Sequence, residues 1–324
     1  MHEQKPAAPA PRGTPASYPV RIATFGPPQR KTMGPETMNL YTIDTGFFKL
    51  DGGAMFGVVP KTLWGKVHPS DEKNLCTWAM RCLLVETGGH LILIDNGIGD
   101  KQDAKFFSHY DLHGDATLEG SLKKHGFTPD DITDVFLTHL HFDHCGGSIK
   151  RDGDKLVPAF RNAHYWSNKY HWEWATKPNP REKASFLKEN ILPIQESGRL
   201  KFVEAERHGE TDTPYVKDVF PGFDVLMVNG HTDAMMIPHI AYKGRTLIYM
   251  ADLIPSAHHI PIPWVISYDT RPLLSMQEKA PVLEQAADKG SILYFEHDNV
   301  TECAMVHRTE KGVRVKETMR LDEW

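Results

Sequence analysis

Short apolar runs bounded by turn residues recur along the chain after about Met38. They are too short for typical helices and have the length of buried strands. Gly88 and Gly89 separate two of the runs and are typical of a hairpin turn. The predicted strands cover residues 40–43, 81–86, 90–95, 135–137, 225–228, 247–251, 291–296 and 313–316.

Helical patterns follow the strands in each half of the chain. Residues 118–125 predict a short helix that ends at Gly126, and residues 181–192 and 274–289 predict two more helices. Because the second half repeats the order of the first, strands followed by a helix, the pattern favours two β-sheets packed face to face with helices outside. We therefore expect an α/β fold, an αββα sandwich built from two similar halves.

Residues 1–37 differ in composition from the rest of the chain. They are rich in Pro and Ala and lack the apolar region of a signal peptide. This composition favours a disordered or loosely packed extension over an arm that packs on a partner subunit. We therefore divide the chain into an N-terminal extension, residues 1–37, and one domain, residues 38–324.

Overall composition excludes two classes of function. The net charge is −5 and no block rich in Lys and Arg stands out, which argues against a nucleic-acid binder. No apolar run approaches the ~20 residues that a membrane span needs. With 324 residues, 40% of them hydrophobic, the chain can bury a full core.

Cysteine usage indicates the redox environment. Cys76, Cys82, Cys145 and Cys303 are few for this length, and we expect free thiols rather than disulfides. Free thiols fit a reducing cytoplasm, with a trimmed secretion signal as the alternative.

Potential metal ligands are most concentrated in the stretch His139-Leu140-His141-Phe142-Asp143-His144, which contains three imidazoles and one carboxylate. Where the chain stays extended after the strand, His139 and His141 point the same way and can hold one ion. Asp143 and His144 are neighbours and would point apart in a strand. They can hold a second ion together only if the chain turns, which Gly146-Gly147 permits. Imidazole and carboxylate ligands suit zinc, with manganese, cobalt or iron as alternatives, and the single thiol of Cys145 makes no thiolate site.

Further ligands follow the ends of later apolar runs. His231 comes after the strand predicted at residues 225–228, Asp252 after residues 247–251, and His297 after residues 291–296. Side chains at neighbouring strand ends can converge, so the working hypothesis is two linked metal sites. The alternative is that the histidines cluster by chance in a loop.

The ordered set His139-x-His141-x-Asp143-His144, His231, Asp252, His297 resembles the metal ligands of the metallo-β-lactamase superfamily. The resemblance extends from about Met38 to the C-terminus. It implies one ion held by His139, His141 and His231, another held by Asp143, His144 and His297, and Asp252 as the bridge. His141 departs from the di-iron flavoproteins of the superfamily, which have a carboxylate there.

A second resemblance indicates one branch of this superfamily. Residues 50–61, residues 138–147, and residues 250–252 followed by Pro255 resemble the quorum-quenching N-acyl homoserine lactonases. Those enzymes have a substrate-assisting Tyr where this chain has Pro255. The resemblance implies a homodimer. It also implies two divalent ions in each chain, which share a hydroxide that attacks a lactone carbonyl. Asp143 would pass a proton to the leaving group, and Asp252 would bridge the ions.

Three alternatives stay open for the function. The same centre can cleave phosphotriesters, as organophosphate hydrolases do, or β-lactams. A protein that keeps zinc for structure and only binds a ligand is the alternative from another class. The aromatic and Met-rich surroundings favour a neutral, partly apolar small molecule as substrate over a nucleic acid.

Several residues outside the ligand set are candidate substrate contacts or supports. Met55 and Phe56 lie in an apolar loop, residues 55–59, that either packs on a second subunit or lines a site. Trp166 lies in the aromatic stretch 165–174, for which core packing is favoured over a lid. His258 and Tyr268 lie in the long irregular segment 255–272. Asp95 either orients a metal-bound His or serves only the turn at residues 95–99.

Overall fold

The computed structural model describes residues 38–324, and the predicted N-terminal extension lies outside this range. The strands are β1 Asn39–Asp51, β2 Leu75–Thr87, β3 His90–Ile94, β4 Asp134–Phe136, β5 Ile149–Asp152, β6 Lys155–Pro158, β7 His164–Ser167, β8 Leu200–Phe202, β9 Tyr215–Phe220, β10 Phe223–Val228, β11 Met235–Tyr242, β12 Arg245–Tyr249, β13 Ile292–Tyr294, β14 Cys303–Thr309 and β15 Gly312–Met319. The helices are α1 Gly52–Phe56, α2 Lys61–Trp64, α3 Ala104–Phe107, α4 Leu118–Lys124, α5 Phe142–Cys145, α6 Lys169–Thr176, α7 Lys188–Glu196 and α8 Pro272–Lys289.

Two large sheets form the frame of the described domain. The first has six strands in the order β1-β2-β3-β4-β7-β8, and the second has seven in the order β15-β14-β13-β12-β11-β10-β9. Pairing is parallel from β3 to β8 and between β12 and β13, and antiparallel elsewhere in both sheets. The predicted αββα sandwich is confirmed.

The strands of the first sheet are apolar on both faces because both faces are covered. In β2, Leu83 and Val85 pack into the core shared with the second sheet, whereas Cys82 and Leu84 pack into a second core. That second core also contains side chains of α4, α6 and α7. A strand buried on both sides gives a continuous apolar run, which is the pattern seen in the sequence.

Buried polar contacts hold the two sheets together. Arg81 Nη1 in β2 donates to the carbonyls of Phe295, at 2.9 Å, and Asp298, at 2.8 Å, beyond the end of β13. In return, the Tyr249 hydroxyl in β12 donates to the Arg81 carbonyl at 3.1 Å. These bonds tie β2 to the end of β12 and to the segment after β13, beyond which lie the candidate ligands Asp252 and His297.

Most predicted elements are confirmed. The helices predicted at residues 118–125 and 274–289 are α4 and α8, and Gly88-Gly89 forms the hairpin between β2 and β3. All four cysteines are buried and free. No helix within residues 38–324 is long and apolar enough to cross a membrane.

The helix predicted at residues 181–192 is wrong for its first half. The helix α7 begins at Lys188, and the residues before it form turns. Asn179 Oδ1 accepts hydrogen bonds from the amides of Arg181 and Glu182, which holds a local turn there. Side chains of this turn contact the site described below, and those long-range contacts override the helical pattern.

Candidate metal centre

The His139–His144 stretch crosses from a strand into a short helix. The strand β4 ends at Phe136, residues 137–141 are irregular with a bend at Thr138, and α5 begins at Phe142 directly after an extended His141. As predicted, the rings of His139 and His141 lie together, with centroids 4.5 Å apart. The turn comes before the two glycines rather than at them, so Asp143 and His144 are held in the first turns of a helix.

Gly146 and Gly147 are needed for a close approach between backbones. A Cβ on Gly146 would lie 2.1 Å from the Ile98 carbonyl oxygen, and one on Gly147 would lie 2.3 Å from the Asn96 carbonyl oxygen. Only residues without a side chain let α5 pack this tightly on the turn after β3. That packing places Asp95 beside His144.

The first group of candidate ligands consists of His139, His141, His231 and Asp252. His141 Nδ1 lies 3.1 Å from His139 Nε2 and 3.2 Å from His231 Nε2. Asp252 Oδ2 lies 3.2 Å from His231 Nε2 and 3.9 Å from His139 Nε2. All four side chains are buried.

The second group consists of Asp143, His144 and His297. His297 Nε2 lies 3.2 Å from His144 Nε2 and 3.7 Å from Asp143 Oδ2. Asp252 also reaches this group, because its Oδ1 is 3.1 Å from His297 Nε2 and its Oδ2 is 3.6 Å from His144 Nε2. Asp252 therefore lies between the groups, and all seven predicted ligands converge.

These separations fit a divalent cation. Ligands bound at about 2.0–2.1 Å in a tetrahedron lie about 3.3 Å apart, which is close to the observed nitrogen–nitrogen distances. Two imidazole nitrogens that both present lone pairs at 3.1 or 3.2 Å would repel each other without a shared cation. Asp252 Oδ1 is buried without a hydrogen bond within residues 38–324, which a cation would also satisfy.

The remaining nitrogens of three imidazoles have partners that fix the rings. His297 Nδ1 donates to the Ala79 carbonyl at 2.8 Å, which leaves Nε2 as the nitrogen that faces the other candidate ligands. Asp95 lies 3.2 Å and Glu296 3.1 Å from His144 Nδ1, and Asp269 lies 3.0 Å from His231 Nδ1. The sequence carries no spacing signal for Asp269, since it lies 38 residues from His231.

The electrostatics of the centre are dominated by Asp252. Burial lowers the pKa of His297, but the charges of Asp252 and Glu296 together outweigh burial and raise that pKa to about 9. The pKa of His231 is also raised, because Asp252 and Asp269 together outweigh burial. Burial and the neighbouring imidazoles lower the pKa of His139. The surrounding charge therefore favours cations at this position.

Phenol and phenyl rings surround Asp143 at the edge of the centre. Tyr110 and Phe106 both pack on Phe142, with centroids 4.8 and 5.4 Å apart respectively. Tyr268 is 39% exposed, and burial together with the Asp143 charge raises its pKa to about 12. Its phenol is therefore neutral at pH 7 and can donate a hydrogen bond.

The other predicted substrate contacts lie in different environments. Met55 and Phe56 were predicted to lie in an apolar loop. They belong instead to the helix α1, and both side chains are buried. Phe56 stacks on His259 at 4.8 Å. Trp166 packs against the core between the sheets and donates to Asp134, at the start of β4. His258 lines a separate cavity of about 320 Å³.

Comparison with known proteins agrees with this geometry. A family model described as the metallo-beta-lactamase superfamily matches residues 81–297. An N-acyl homoserine lactonase from Bacillus cereus is 25% identical over 183 residues, which cover 51% of this chain and 58% of the relative. The chain thus spans under two thirds of the length of the curated relatives that it matches.

Solved structures share the fold over more of the chain. A probable metal-dependent hydrolase from Staphylococcus aureus has a TM-score of 0.75 and 27% identity, covering 89% of this chain and 98% of that one. AidC, a dizinc quorum-quenching lactonase in complex with a product, has a TM-score of 0.69 and 22% identity, covering 88% and 96%. At that identity, the second likeness concerns the fold alone.

Proposed function

Because this chain belongs to the metallo-beta-lactamase superfamily, we propose that it is a metal-dependent hydrolase that opens lactone rings. The expected substrates are N-acyl homoserine lactones. The observation that carries the proposal is the convergence of seven ligand-type side chains in two groups, with Asp252 between them. Structural zinc sites are closed by four protein ligands, whereas here each group has three side chains and shares Asp252. This arrangement leaves room for water and substrate, which favours an enzyme over a binding protein.

The two groups would hold two divalent ions, with zinc as the expected metal. His139, His141 and His231 would hold one, Asp143, His144 and His297 the other, and Asp252 would contact both. When bound, such a pair polarises a carbonyl and lowers the pKa of water to about 7.

Asp143 is the side chain placed to move a proton. It is 8% exposed, and its carboxylate faces His297 and the rings at the edge of the centre. When the ester bond of the lactone breaks, the ring oxygen leaves as an alkoxide that needs a proton. Asp143 would take that proton from the attacking water as its oxygen bonds to the carbonyl carbon, and would then pass it to the ring oxygen.

Tyr268 would take the place of the tyrosine that Pro255 replaces. Pro255 is buried, and its carbonyl accepts a hydrogen bond from the His297 amide. This position therefore holds the backbone at His297 and offers no side chain that could donate to a substrate. The neutral phenol of Tyr268 can instead donate to the substrate carbonyl. The apolar faces of Phe106, Tyr110 and Phe142 would contact the acyl chain, which fits a neutral, partly apolar substrate.

A homodimer is also proposed, with α1 and the following turn at its interface. Val58 is 91% exposed although Met55 and Phe56 beside it are buried, and Leu63 and Val67 are 50% and 44% exposed. Neighbouring exposed aliphatic side chains favour contact with another protein surface. A Val58→Asp variant should shift a dimer towards monomer in light-scattering measurements, and an unchanged mass would remove this surface as the interface.

The substrate class is tested with metal-loaded protein and a panel of substrates. Short- and long-chain N-acyl homoserine lactones, simple γ-lactones, a paraoxon-type phosphotriester and a cephalosporin are assayed side by side. We expect the acyl homoserine lactones to have the highest kcat/KM, and a His139→Ala variant to be inactive on all of them. Turnover of the cephalosporin or the phosphotriester alone would reject the lactonase proposal, and metal binding without turnover would favour a binding protein.

A further inference from the structure

The Glu182 carboxylate is buried beside the metal centre and belongs to neither ligand group, as is also true of Asp95, Asp269 and Glu296. Glu182 is 3% exposed, and its Oε1 is 3.5 Å from His141 Nε2. Within residues 38–324, no hydrogen bond satisfies either of these two atoms. The separation is at the outer limit of a hydrogen bond between an imidazole N–H and a carboxylate.

The two nitrogens of His141 face different partners. Nδ1 points to His139 and His231, at 3.1 and 3.2 Å, whereas Nε2 points to Glu182. A neutral imidazole carries one proton, and the nitrogen that carries it cannot bind a cation. Whatever accepts a hydrogen bond from Nε2 therefore decides whether Nδ1 is free to bind.

The second oxygen of Glu182 anchors the carboxylate. Trp174 Nε1 donates to Oε2 at 2.6 Å, and Asn179 Nδ2 donates to the same oxygen at 2.5 Å. With Oε2 held by two donors, the carboxylate has little freedom to turn away from His141. Oε1 is thus left as an acceptor aimed at the ring.

We propose that Glu182 is a positioning residue of the metal centre, whose Oε1 accepts a hydrogen bond from His141 Nε2–H and keeps Nδ1 unprotonated and directed at the ion. The inference rests on the proposed metal centre. It assigns Glu182 the role for His141 that Asp269 has for His231 and Asp95 has for His144. Buried partners of this kind raise ligand basicity and fix ring orientation.

Glu182 also connects the turn at residues 177–187 to the centre. In the same turn, Arg181 Nη2 donates to the carbonyls of Ser267 and Asp269. Asp269 in turn accepts from His231 Nδ1. One segment therefore supports two ligands of the first group, His141 through Glu182 and His231 through the loop that Arg181 holds.

Glu182→Gln is a selective test because an amide cannot serve both sides of this carboxylate. If the amide oxygen faces His141, the NH2 group faces the donors of Trp174 and Asn179, and if the amide flips, NH2 faces His141 Nε2–H. Either orientation sets donors against donors. Glu173→Gln is the matched control, because Glu173 is exposed on the neighbouring helix α6.

The measurement is metal affinity of the folded protein, by competition with a chelator for zinc and by the visible absorption of bound cobalt(II). We expect Glu182→Gln to bind one of the two ions at least about tenfold more weakly and to change the cobalt spectrum, with Glu173→Gln unchanged. A merely structural role would lower the melting temperature but leave the affinity of the folded protein unaltered. Wild-type affinity and spectrum in Glu182→Gln would overturn the proposal.

Two further arms keep the outcome unambiguous. Glu182→Asp retains the charge but withdraws the carboxylate by about 1.5 Å, one carbon–carbon bond. If Glu182→Gln does not fold, Glu182→Asp should show the weaker binding, and unchanged affinity there would reject the role. A wild-type protein that binds no divalent ion would instead reject the metal centre itself, before any variant is compared.

Discussion

Asp252 is the side chain on which both ligand groups depend. Its two oxygens lie 3.1 Å from His297 Nε2 and 3.2 Å from His231 Nε2. Asp252→Asn keeps the size of the side chain and removes its charge, so we expect metal affinity to fall by more than about 100-fold, beyond the loss for an outer partner. Chelator competition measures this, with Asp218→Asn, an exposed position, as the control. Retention of metal together with full lactone turnover would contradict the assignment.

Protons compete with metal at the same imidazoles. Asp252 and Glu296 together raise the pKa of His297 from its ordinary 6.5 to about 9, so the metal-free protein holds a proton there at neutral pH. The cation must displace that proton, and affinity therefore rises with pH up to about 9 and then levels off. For one displaced proton we expect about a tenfold rise per pH unit between pH 7 and 9. Chelator competition at several pH values measures this slope, and a flat profile would contradict it.

At the residue scale, the sequence predicts ligands better than their supports. The seven predicted ligands follow strand ends and one dense motif, and all seven side chains converge in the structure. Asp95 could also be predicted as a support, because it ends a predicted strand and begins a turn. Glu182 and Asp269 were not predictable, since both lie in irregular segments and meet their imidazoles only through the tertiary fold.

The loops that carry the site depend on close backbone contact between elements. In Gly146→Ala the new methyl group would meet the Ile98 backbone at 2.1 Å, so α5 must move away from the turn after β3. We expect a loss of stability of about 1–3 kcal/mol and weaker metal binding, because His144 moves with the helix. Urea unfolding and chelator competition test both effects.

Gly209→Ala is the matched control for that variant. A Cβ at Gly209 meets nothing within 4 Å, so stability and metal affinity should stay at the wild-type values. Equal behaviour of the two alanine variants would show that the contact between α5 and the turn tolerates a side chain.

At the scale of elements, what the sequence predicts depends on where the stabilising contacts come from. Strands such as β2 and β3 are apolar on both faces, so local pattern alone identifies them. The segment before α7 has a helical pattern, but Asn179 and the contacts of Glu182 hold it in turns. For the apolar loop 55–59, composition did not reveal that Met55 and Phe56 face inward from a short helix while Val58 faces outward.

At the scale of the whole molecule, the candidate metal centre lies where the two halves of the described chain meet. The first half supplies the ligands from His139 to His144, and the second supplies His231, Asp252 and His297. Each half alone brings an incomplete set of ligands, and Asp252 contacts side chains from both. A cation bound at this position would therefore stabilise the packing of one sheet against the other as well as the loops.

Removing the metal should consequently lower the stability of the entire domain. A ligand that binds only the folded state at 1,000 times its Kd adds about 4 kcal/mol to the free energy of unfolding. At roughly 2 °C per kcal/mol for a large domain, chelation should lower the melting temperature by about 8 °C. Scanning calorimetry of metal-loaded and chelated protein measures the shift, and adding zinc back should restore it. In Asp252→Asn, which lacks the shared carboxylate, chelation should have little further effect. An equal shift in that variant would mean that the stabilising ion binds elsewhere.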